Sequence, residues 1–197
     1  FREPIELAAL TEQGLNIDEL DSLVESGLAR HADSDTYDVH DLIREFLLQS
    51  LDKQAKEDLH NKAVSWYNKQ LPSSQIALEL IYHLISSSRH EDATKLVVEQ
   101  GRNLIKEGHI ELLGLLESID TQSVAPESAC RVDRLRGEVL ALLGRFDEAE
   151  EAFNLAKVPA EAAGLSDVIA DILSNLADIA LKRGDSEESL GMHRKAL

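Results

Sequence analysis

The tripeptide Val39-His40-Asp41 is the part of the sequence that comes closest to a chemical motif. It stands between a predicted short strand and a predicted amphipathic helix, and the imidazole of His40 can donate a hydrogen bond near neutral pH. Asp41 is predicted to be the N-cap of the helix, because its carboxylate can accept backbone N–H bonds that would otherwise be unpaired. On this pattern alone, a structural role for His40 at the end of the strand is favoured over a binding role.

A helix and a hairpin are predicted immediately before this junction. The helix is predicted over residues 17–26, with a capping box at its start. The two strands of the hairpin are predicted over residues 28–30 and 36–40, with a polar turn over residues 32–35 between them. The order of helix, hairpin and helix is the order of a winged helix.

These elements resemble the winged helix of the signal-transduction ATPases with numerous domains, in which the motif at this junction is Met-His-Asp. The resemblance implies that His40 donates a hydrogen bond to the β-phosphate of a bound nucleotide and stabilises an ADP-bound closed state. It also implies that Asp41 supports His40 by fixing the start of the helix. The sequence contains no Gly-x-x-x-x-Gly-Lys-Ser/Thr phosphate loop, so ADP or ATP is expected only in a longer protein. No cofactor is expected in this segment itself.

The resemblance also predicts that the sequence is a segment of a larger protein. The stretch Phe1-Arg2-Glu3-Pro4 is similar to one that closes the first winged-helix helix in that family, so the winged helix is expected to be truncated at its N-terminus. The last predicted helix runs through Leu197 with neither a stop signal nor a polar final face. Further repeats are therefore expected beyond the C-terminus.

Helical repeats are predicted in the second half of the chain. Two helical patterns between residues 132 and 156 are separated by Gly144, which is predicted to be a left-handed C-cap. Gly137 is predicted to be small at the point where the second helix approaches closely. The inner stripe of that second helix is predicted to consist of Ala149, Phe153 and Ala156. This hairpin resembles a tetratricopeptide repeat, and a weaker copy follows around Gly184.

The composition favours a mainly all-α fold. Only 4% of the residues are aromatic, whereas Leu, Ala, Glu, Ile and Ser recur at helical spacing. The predicted architecture is a partial winged helix with a small β-hairpin, followed by an α-α superhelix of tetratricopeptide-like hairpins. The predicted domains are the winged helix (residues 1–52), a helical connector (residues 53–121) and the repeats (residues 127–197), with residues 121–126 as the linker before the repeats.

The charge balance argues against nucleic acid as the main partner. The formal net charge is −17, from 20 Lys and Arg against 37 Asp and Glu, so a long phosphate-contacting surface is not expected. The helix over residues 17–26 carries four acidic residues and no Lys or Arg, which disfavours DNA reading by the winged helix. Neither a signal peptide nor an apolar run of ~20 residues is present, so we expect a cytoplasmic location without membrane contact.

Catalytic and metal sites are not predicted. The seven histidines include no His-Glu-x-x-His spacing, and the single cysteine, Cys130, has no activating motif beside it. We therefore expect no metal site, no catalytic residue and no enzymatic activity.

The partner is expected to be a protein or peptide bound by the repeats, with a small-molecule inducer as an alternative. Repeats of this kind bind along the concave surface lined by the first helix of each pair. Helical phase places seven candidates on that surface, namely Arg131, Arg134, Glu138, Asp171, Ser174, Asn175 and Asp178. A basic or apolar peptide is expected, because Asp171 and Asp178 would oppose an anion. For each candidate, a solvated position without a function is the alternative.

Three functions remain open from the sequence. The leading hypothesis is the regulatory arm of a signal-transduction ATPase, which couples nucleotide state to the binding of a partner or inducer. The second is a free-standing adaptor that binds a peptide in its repeat groove. The third is a transcription regulator that contacts DNA through the winged helix, an analogy at the level of the fold alone.

Overall fold

The computed structural model describes residues 5–12 and 14–196 of the chain. The predictions on Phe1-Arg2-Glu3-Pro4 and on Leu197 lie outside the described residues. The described residues form eleven α-helices and three short strands, which confirms the predicted mainly α-helical fold with a small sheet. The chain divides into two compact units between Ser88 and Arg89. In the described part of the chain, no helix is both long and apolar enough to cross a lipid bilayer.

The first unit holds the three strands and five of the helices. In chain order these elements are β1 (Ile5–Glu6), α1 (Leu7–Glu12), α2 (Ile17–Glu25), β2 (Arg30–Asp33), β3 (Thr36–Asp38), α3 (Asp41–Ser50), α4 (Lys53–Tyr67) and α5 (Ser74–Ser86). The order α2, β2, β3, α3 is the predicted order of helix, hairpin and helix. The predicted capping box is present at the start of α2, where the Glu19 N–H donates to the Asn16 side chain (2.8 Å) and the Asn16 N–H donates to the Glu19 carboxylate (3.0 Å).

The sheet is antiparallel, with β3 in the centre between β1 and β2. Tyr37 of β3 is buried and pairs with Ile5 on one side and His31 on the other. Strand β1 was not predicted, because two residues show no alternation of apolar and polar side chains. Its pairing with β3 depends on contacts between segments that are distant in sequence.

The boundaries of the hairpin differ from the prediction. Strand β2 starts at Arg30 and extends to Asp33, so the turn is shorter than predicted; a bulge between His31 and Asp33 lets the strand continue. Strand β3 ends at Asp38, because the carbonyl of Val39 accepts a hydrogen bond from the Arg44 side chain (3.0 Å) instead of pairing in the sheet.

The second unit consists of six helices. They are α6 (His90–Lys106), α7 (Leu112–Ser118), α8 (Pro126–Leu142), α9 (Phe146–Ala162), α10 (Ser166–Arg183) and α11 (Ser186–Ala196). Helix α8 packs against α9, α10 packs against α11, and α8 also contacts α6 and α10. The predicted linker over residues 121–126 lies inside this unit, with Pro126 in the first turn of α8. The division into functional parts over residues 1–52, 53–121 and 127–197 stays a prediction.

The α8–α9 hairpin has the predicted turn and core. Gly144 has a φ angle of +75°, in the left-handed region that favours glycine. The predicted inner stripe, Ala149, Phe153 and Ala156, is fully buried. A Cβ atom on Gly137 would lie 2.6 Å from the Phe153 ring, so the two helices approach this closely only because residue 137 has no side chain. The predicted second copy is also present, since Gly184 caps the end of α10 and α11 follows.

Candidate functional site

His40 lies at the junction between β3 and α3, and it is exposed. The Leu42 N–H donates to Nδ1 of His40 (3.3 Å), which makes His40 the N-cap of α3. A ring nitrogen that accepts a hydrogen bond carries no proton, so the neutral imidazole has its proton on Nε2. The junction therefore presents a hydrogen-bond donor to the surroundings of the chain.

The prediction that Asp41 caps α3 is wrong. His40 occupies the N-cap position, and Asp41 is the first residue of the helix. The Asp41 side chain is 89% exposed and accepts a hydrogen bond from Arg44 (3.0 Å). Its negative charge in the first turn favours the helix through the helix dipole.

Helix α3 is largely exposed. None of its residues is fully buried, and the side chains of Leu42 and Phe46 point largely into solvent. The apolar pattern of α3 was identified correctly from the sequence. A pattern of this kind shows that one side of a helix is apolar, but it does not show what covers that side.

Arg44 is a residue at this junction whose role the sequence did not predict. Its guanidinium donates to the carboxylate of Asp38 (3.1 Å), the carbonyl of Val39 (3.0 Å) and the carboxylate of Asp41 (3.0 Å). Arg30 also binds Asp38 (2.7 Å), and this hydrogen bond, with a smaller effect from Arg44, holds the pKa of the Asp38 carboxyl below its usual range. Arg44 thus ties β3 to the first turn of α3. The sequence did contain a signal for this role, because Asp41 and Asp38 lie three and six residues before Arg44.

Charged side chains of three helices meet on one face of the second unit. Arg134 on α8 donates to Glu138, one turn later on the same helix, and lies 3.7 Å from Asp171 on α10. Arg102 on α6 donates to the same Asp171 carboxylate. Burial raises the pKa of the Glu138 carboxyl, and the positive charge of Arg134 opposes that rise. We call the face defined by Arg102, Arg134, Glu138 and Asp171 the charged face.

Most of the predicted groove residues lie on or beside the charged face. Arg131 donates to Asp167 on α10 (3.0 Å), and the Asn175 side chain donates to the backbone carbonyl of Asp171 (2.9 Å). Asp178 lies farther along α10 and is exposed. Side chains of α8 and α10 thus come together in the structure. The sequence did not predict the contribution of Arg102 from α6.

Two of the predicted groove residues are less accessible than expected. The Arg134 side chain is only 5% exposed, and the Glu138 side chain is mostly buried beside it. The ion pair between Arg134 and Glu138 joins two residues one turn apart on α8. Little of either side chain remains accessible to a partner. Ser174 is half-buried on α10. Binding of a partner by the remaining candidates stays a prediction.

A second cluster of titratable groups joins α4 and α5 in the first unit. Nδ1 of His60 lies 2.8 Å from Nδ1 of His83, which is fully buried, and the rings of Tyr67 and Tyr82 pack against His83. One of the two facing nitrogens must carry the proton and the other must accept it. Burial lowers the pKa of His60, in agreement with a pair that holds at most one proton between the facing nitrogens.

We expect the first unit to lose stability as the pH falls below about 6.5. The pKa of His60 is lower in the folded chain than its value of 6.5 in an unfolded chain, so the unfolded state binds more protons below that pH. The contribution of neutral His60 to the stability of the fold is complete above pH 6.5. It is lost as the pH falls towards the lower pKa that His60 has in the folded chain. Urea denaturation at several pH values measures this. His60→Leu should flatten the dependence and His31→Gln should not; equal slopes in all three proteins would contradict the expectation.

Neither a metal cluster nor a reactive thiol stands out in the described part of the chain. Among residues 5–12 and 14–196, no three His, Cys, Asp or Glu side chains are arranged to hold a metal ion. Cys130 is buried, and burial raises the pKa of its thiol. A raised pKa disfavours the thiolate form that nucleophilic chemistry requires.

Comparison with known proteins gives only distant similarities. No protein-family model and no curated protein matches the chain. The solved structures of MamA MSR-1 and MamA AMB-1 are each 22% identical to it and cover 72% of it, over 87% and 90% of their own chains, with TM-scores of 0.39 and 0.40. A signal-transduction ATPase with numerous domains and a tetratricopeptide repeat sensor, from Pyrococcus horikoshii, is 17% identical, with a TM-score of 0.35. It covers 100% of this chain over 42% of its own.

Proposed function

We propose that the chain is the regulatory, partner-binding part of a cytoplasmic signal-transduction ATPase and performs no chemistry itself. In this proposal His40 donates a hydrogen bond to the β-phosphate of ADP held by an ATPase domain of the same protein. The helical repeats bind a protein or peptide partner, or a small inducer, and this binding changes the stability of the ADP-bound state.

The observation that carries the proposal is the state of the His40 ring. Because Nδ1 accepts from the Leu42 N–H, the proton of the neutral ring lies on Nε2, and the exposed side chain can donate it to a phosphate oxygen. The same hydrogen bond anchors the ring to the start of α3. Arg44 in turn holds the first turn of α3 to β3, so the position of the donor is fixed from both sides of the junction.

The size of the effect sets a limit on what His40 can do. A hydrogen bond to a charged group contributes about 1.5–3 kcal/mol, which corresponds to roughly 10- to 150-fold in affinity. This is enough to bias a nucleotide-dependent equilibrium and too little to hold ADP without a phosphate loop. The isolated chain is therefore expected not to bind ADP measurably.

We expect His40→Ala to weaken ADP binding by about 10- to 150-fold in the protein that carries the ATPase domain, because the phosphate donor is lost. Isothermal titration with ADP measures the change. His40→Ser is the matched variant, since a serine at the N-cap can still accept from the Leu42 N–H but is too short to replace the imidazole. Both variants should lose affinity. Wild-type affinity in His40→Ser would show that His40 only caps the helix.

The second candidate function is a free-standing adaptor, and the charged face favours it. Arg102 is half exposed and Asp171 about one-third exposed, so a peptide could contact both side chains without an ATPase domain. The acidic balance of the chain suits a basic or apolar peptide. The presence of a phosphate-loop ATPase domain in the same reading frame would eliminate this alternative. A DNA-reading role gains no support, because Asp18, Glu19, Asp21 and Glu25 are all exposed on α2 and would repel phosphate.

A further inference from the structure

One ion pair on the charged face joins two helices that lie on either side of a third. The Arg102 side chain on α6 donates to the Asp171 carboxylate on α10, and both of these helices pack against α8. In a stack of helical hairpins, each hairpin normally contacts only its neighbours. The Arg102–Asp171 pair instead connects the helix before the α8–α9 hairpin to the hairpin after it. We call this pair the strap.

The strap crosses α8 at Arg134. The Arg134 side chain donates to Glu138, and its guanidinium lies 3.7 Å from the carboxylate of Asp171. The Arg134 side chain is 5% exposed, whereas the side chains of Arg102 and Asp171 are 50% and 35% exposed. The strap is therefore at the surface, and Arg134 is covered.

The strap can open at little cost. An exposed ion pair is weak, so it changes the ratio of closed to open molecules by at most roughly fivefold. Asp171 keeps a positive charge beside it when Arg102 leaves, because Arg134 remains close. Arg102 is half exposed already, so water can solvate it fully.

The closed strap also leaves one donor of Arg134 unused. Among residues 5–12 and 14–196, the buried Nε of Arg134 has no hydrogen-bond acceptor. A buried donor without an acceptor disfavours the state that contains it. The closed state is therefore only slightly favoured over an open state in which Arg134 becomes accessible.

We propose that the strap gates the charged face, so that Arg134 is accessible only when Arg102 and Asp171 separate. The consequence for a partner rests on the proposed binding by the helical repeats. A partner that contacts Arg134 binds the open state alone and shifts the strap towards that state. Since a guanidinium has donors and no acceptor, the contacting group of the partner is a hydrogen-bond acceptor such as a peptide carbonyl oxygen.

Chemical modification of Arg134 measures the opening in the absence of a partner or a nucleotide. Phenylglyoxal reacts with accessible guanidinium groups, and tandem mass spectrometry gives the initial rate at Arg134. The variant Arg102→Gln removes the strap and leaves Asp171 beside Arg134. The matched control is Arg131→Gln, which loses the same charge. The ion pair that this control removes, between Arg131 and Asp167, joins α8 to α10 without α6.

Cys130 shows whether the whole unit has loosened. It is fully buried on α8, one turn before Arg134. The rate at which iodoacetamide alkylates this thiol in the folded protein is measured beside the rate at Arg134. Opening of the strap should leave the alkylation rate of Cys130 unchanged.

Phenylglyoxal should modify Arg134 roughly two- to fivefold faster in Arg102→Gln than in the wild type, which is the range that an exposed ion pair allows. The rate in Arg131→Gln should equal that of the wild type. Equal rates in Arg102→Gln and the wild type, or the same increase in Arg131→Gln, would overturn the proposal. So would a parallel increase at Cys130, because Arg134 would then be exposed by loosening of the fold. None of these outcomes bears on the proposed role of His40.

Discussion

Replacing Gly137 with valine is expected to destabilise the second unit by about 3 kcal/mol, at the upper end of the usual cost of overpacking a core. Even a single Cβ atom at this position would lie 2.6–2.8 Å from three atoms of the Phe153 ring. The ring cannot move aside easily, because Phe153 is fully buried between α8 and α9. The midpoint of urea denaturation, followed by circular dichroism, measures the loss.

A matched glycine separates the packing effect from the helix propensity. Gly191 lies in α11 with no atom within 4 Å of its would-be Cβ, so Gly191→Ala should be neutral or stabilising by up to about 1 kcal/mol. Replacing Phe153 with leucine in the Gly137→Val protein should restore part of the stability, since the two residues are in contact. A Gly137→Val protein as stable as the wild type would show that α8 and α9 do not pack at this distance.

Arg134→Ala is expected to cost about 3–5 kcal/mol at pH 7, because it leaves the carboxylate of Glu138 mostly buried without its partner. The control is Arg145→Ala, which breaks an exposed ion pair with Glu148 and should cost far less than Arg134→Ala. Replacing both partners, as Arg134→Met with Glu138→Leu, should be much less harmful than Arg134→Ala alone. Urea denaturation of the four proteins measures the differences.

The cost of Arg134→Ala should depend on pH. Burial already raises the pKa of Glu138 in the wild type, and the loss of Arg134 removes the charge that opposes this rise. The folded state of the variant then binds a proton more tightly than the unfolded state. Its stability therefore falls as the pH rises from the ordinary pKa of a glutamate to the raised pKa of Glu138 in the folded state, and is partly regained on acidification. The deficit of the variant should therefore be smaller at pH 5 than at pH 7. A cost no larger than that of Arg145→Ala at both pH values would contradict the buried pair.

The repeats could be predicted from the sequence because the signals that specify them are local. Gly144 and Gly184 end helices in the left-handed conformation, and the inner stripe of α9 follows the period of a helix. Gly137 could be assigned to a close approach because a glycine inside a helical pattern needs a packing reason. The helix, hairpin and helix of the first unit followed in the same way from turn residues and capping signals.

The parts that could not be predicted depend on residues that are distant in sequence. Strand β1 exists only through its pairing with β3. The hydrogen bond from Arg102 to Asp171 joins α6 to α10, which are far apart in sequence. The cap of α3 was assigned to Asp41 because aspartate is a common N-cap, whereas an imidazole can perform the same role one residue earlier. The exposure of α3 depends on the residues that surround the helix, and the pattern within the helix does not specify them.

The most direct test of the nucleotide role is the nucleotide content of the protein produced from its complete reading frame. The purified protein is denatured, and the released nucleotide is identified and quantified by chromatography. The proposed role of His40 predicts about one ADP per chain in the wild type, and a much lower content in His40→Ala. Absence of nucleotide from the wild type would contradict the role, and it would leave a helical-repeat adaptor in which His40 only caps α3.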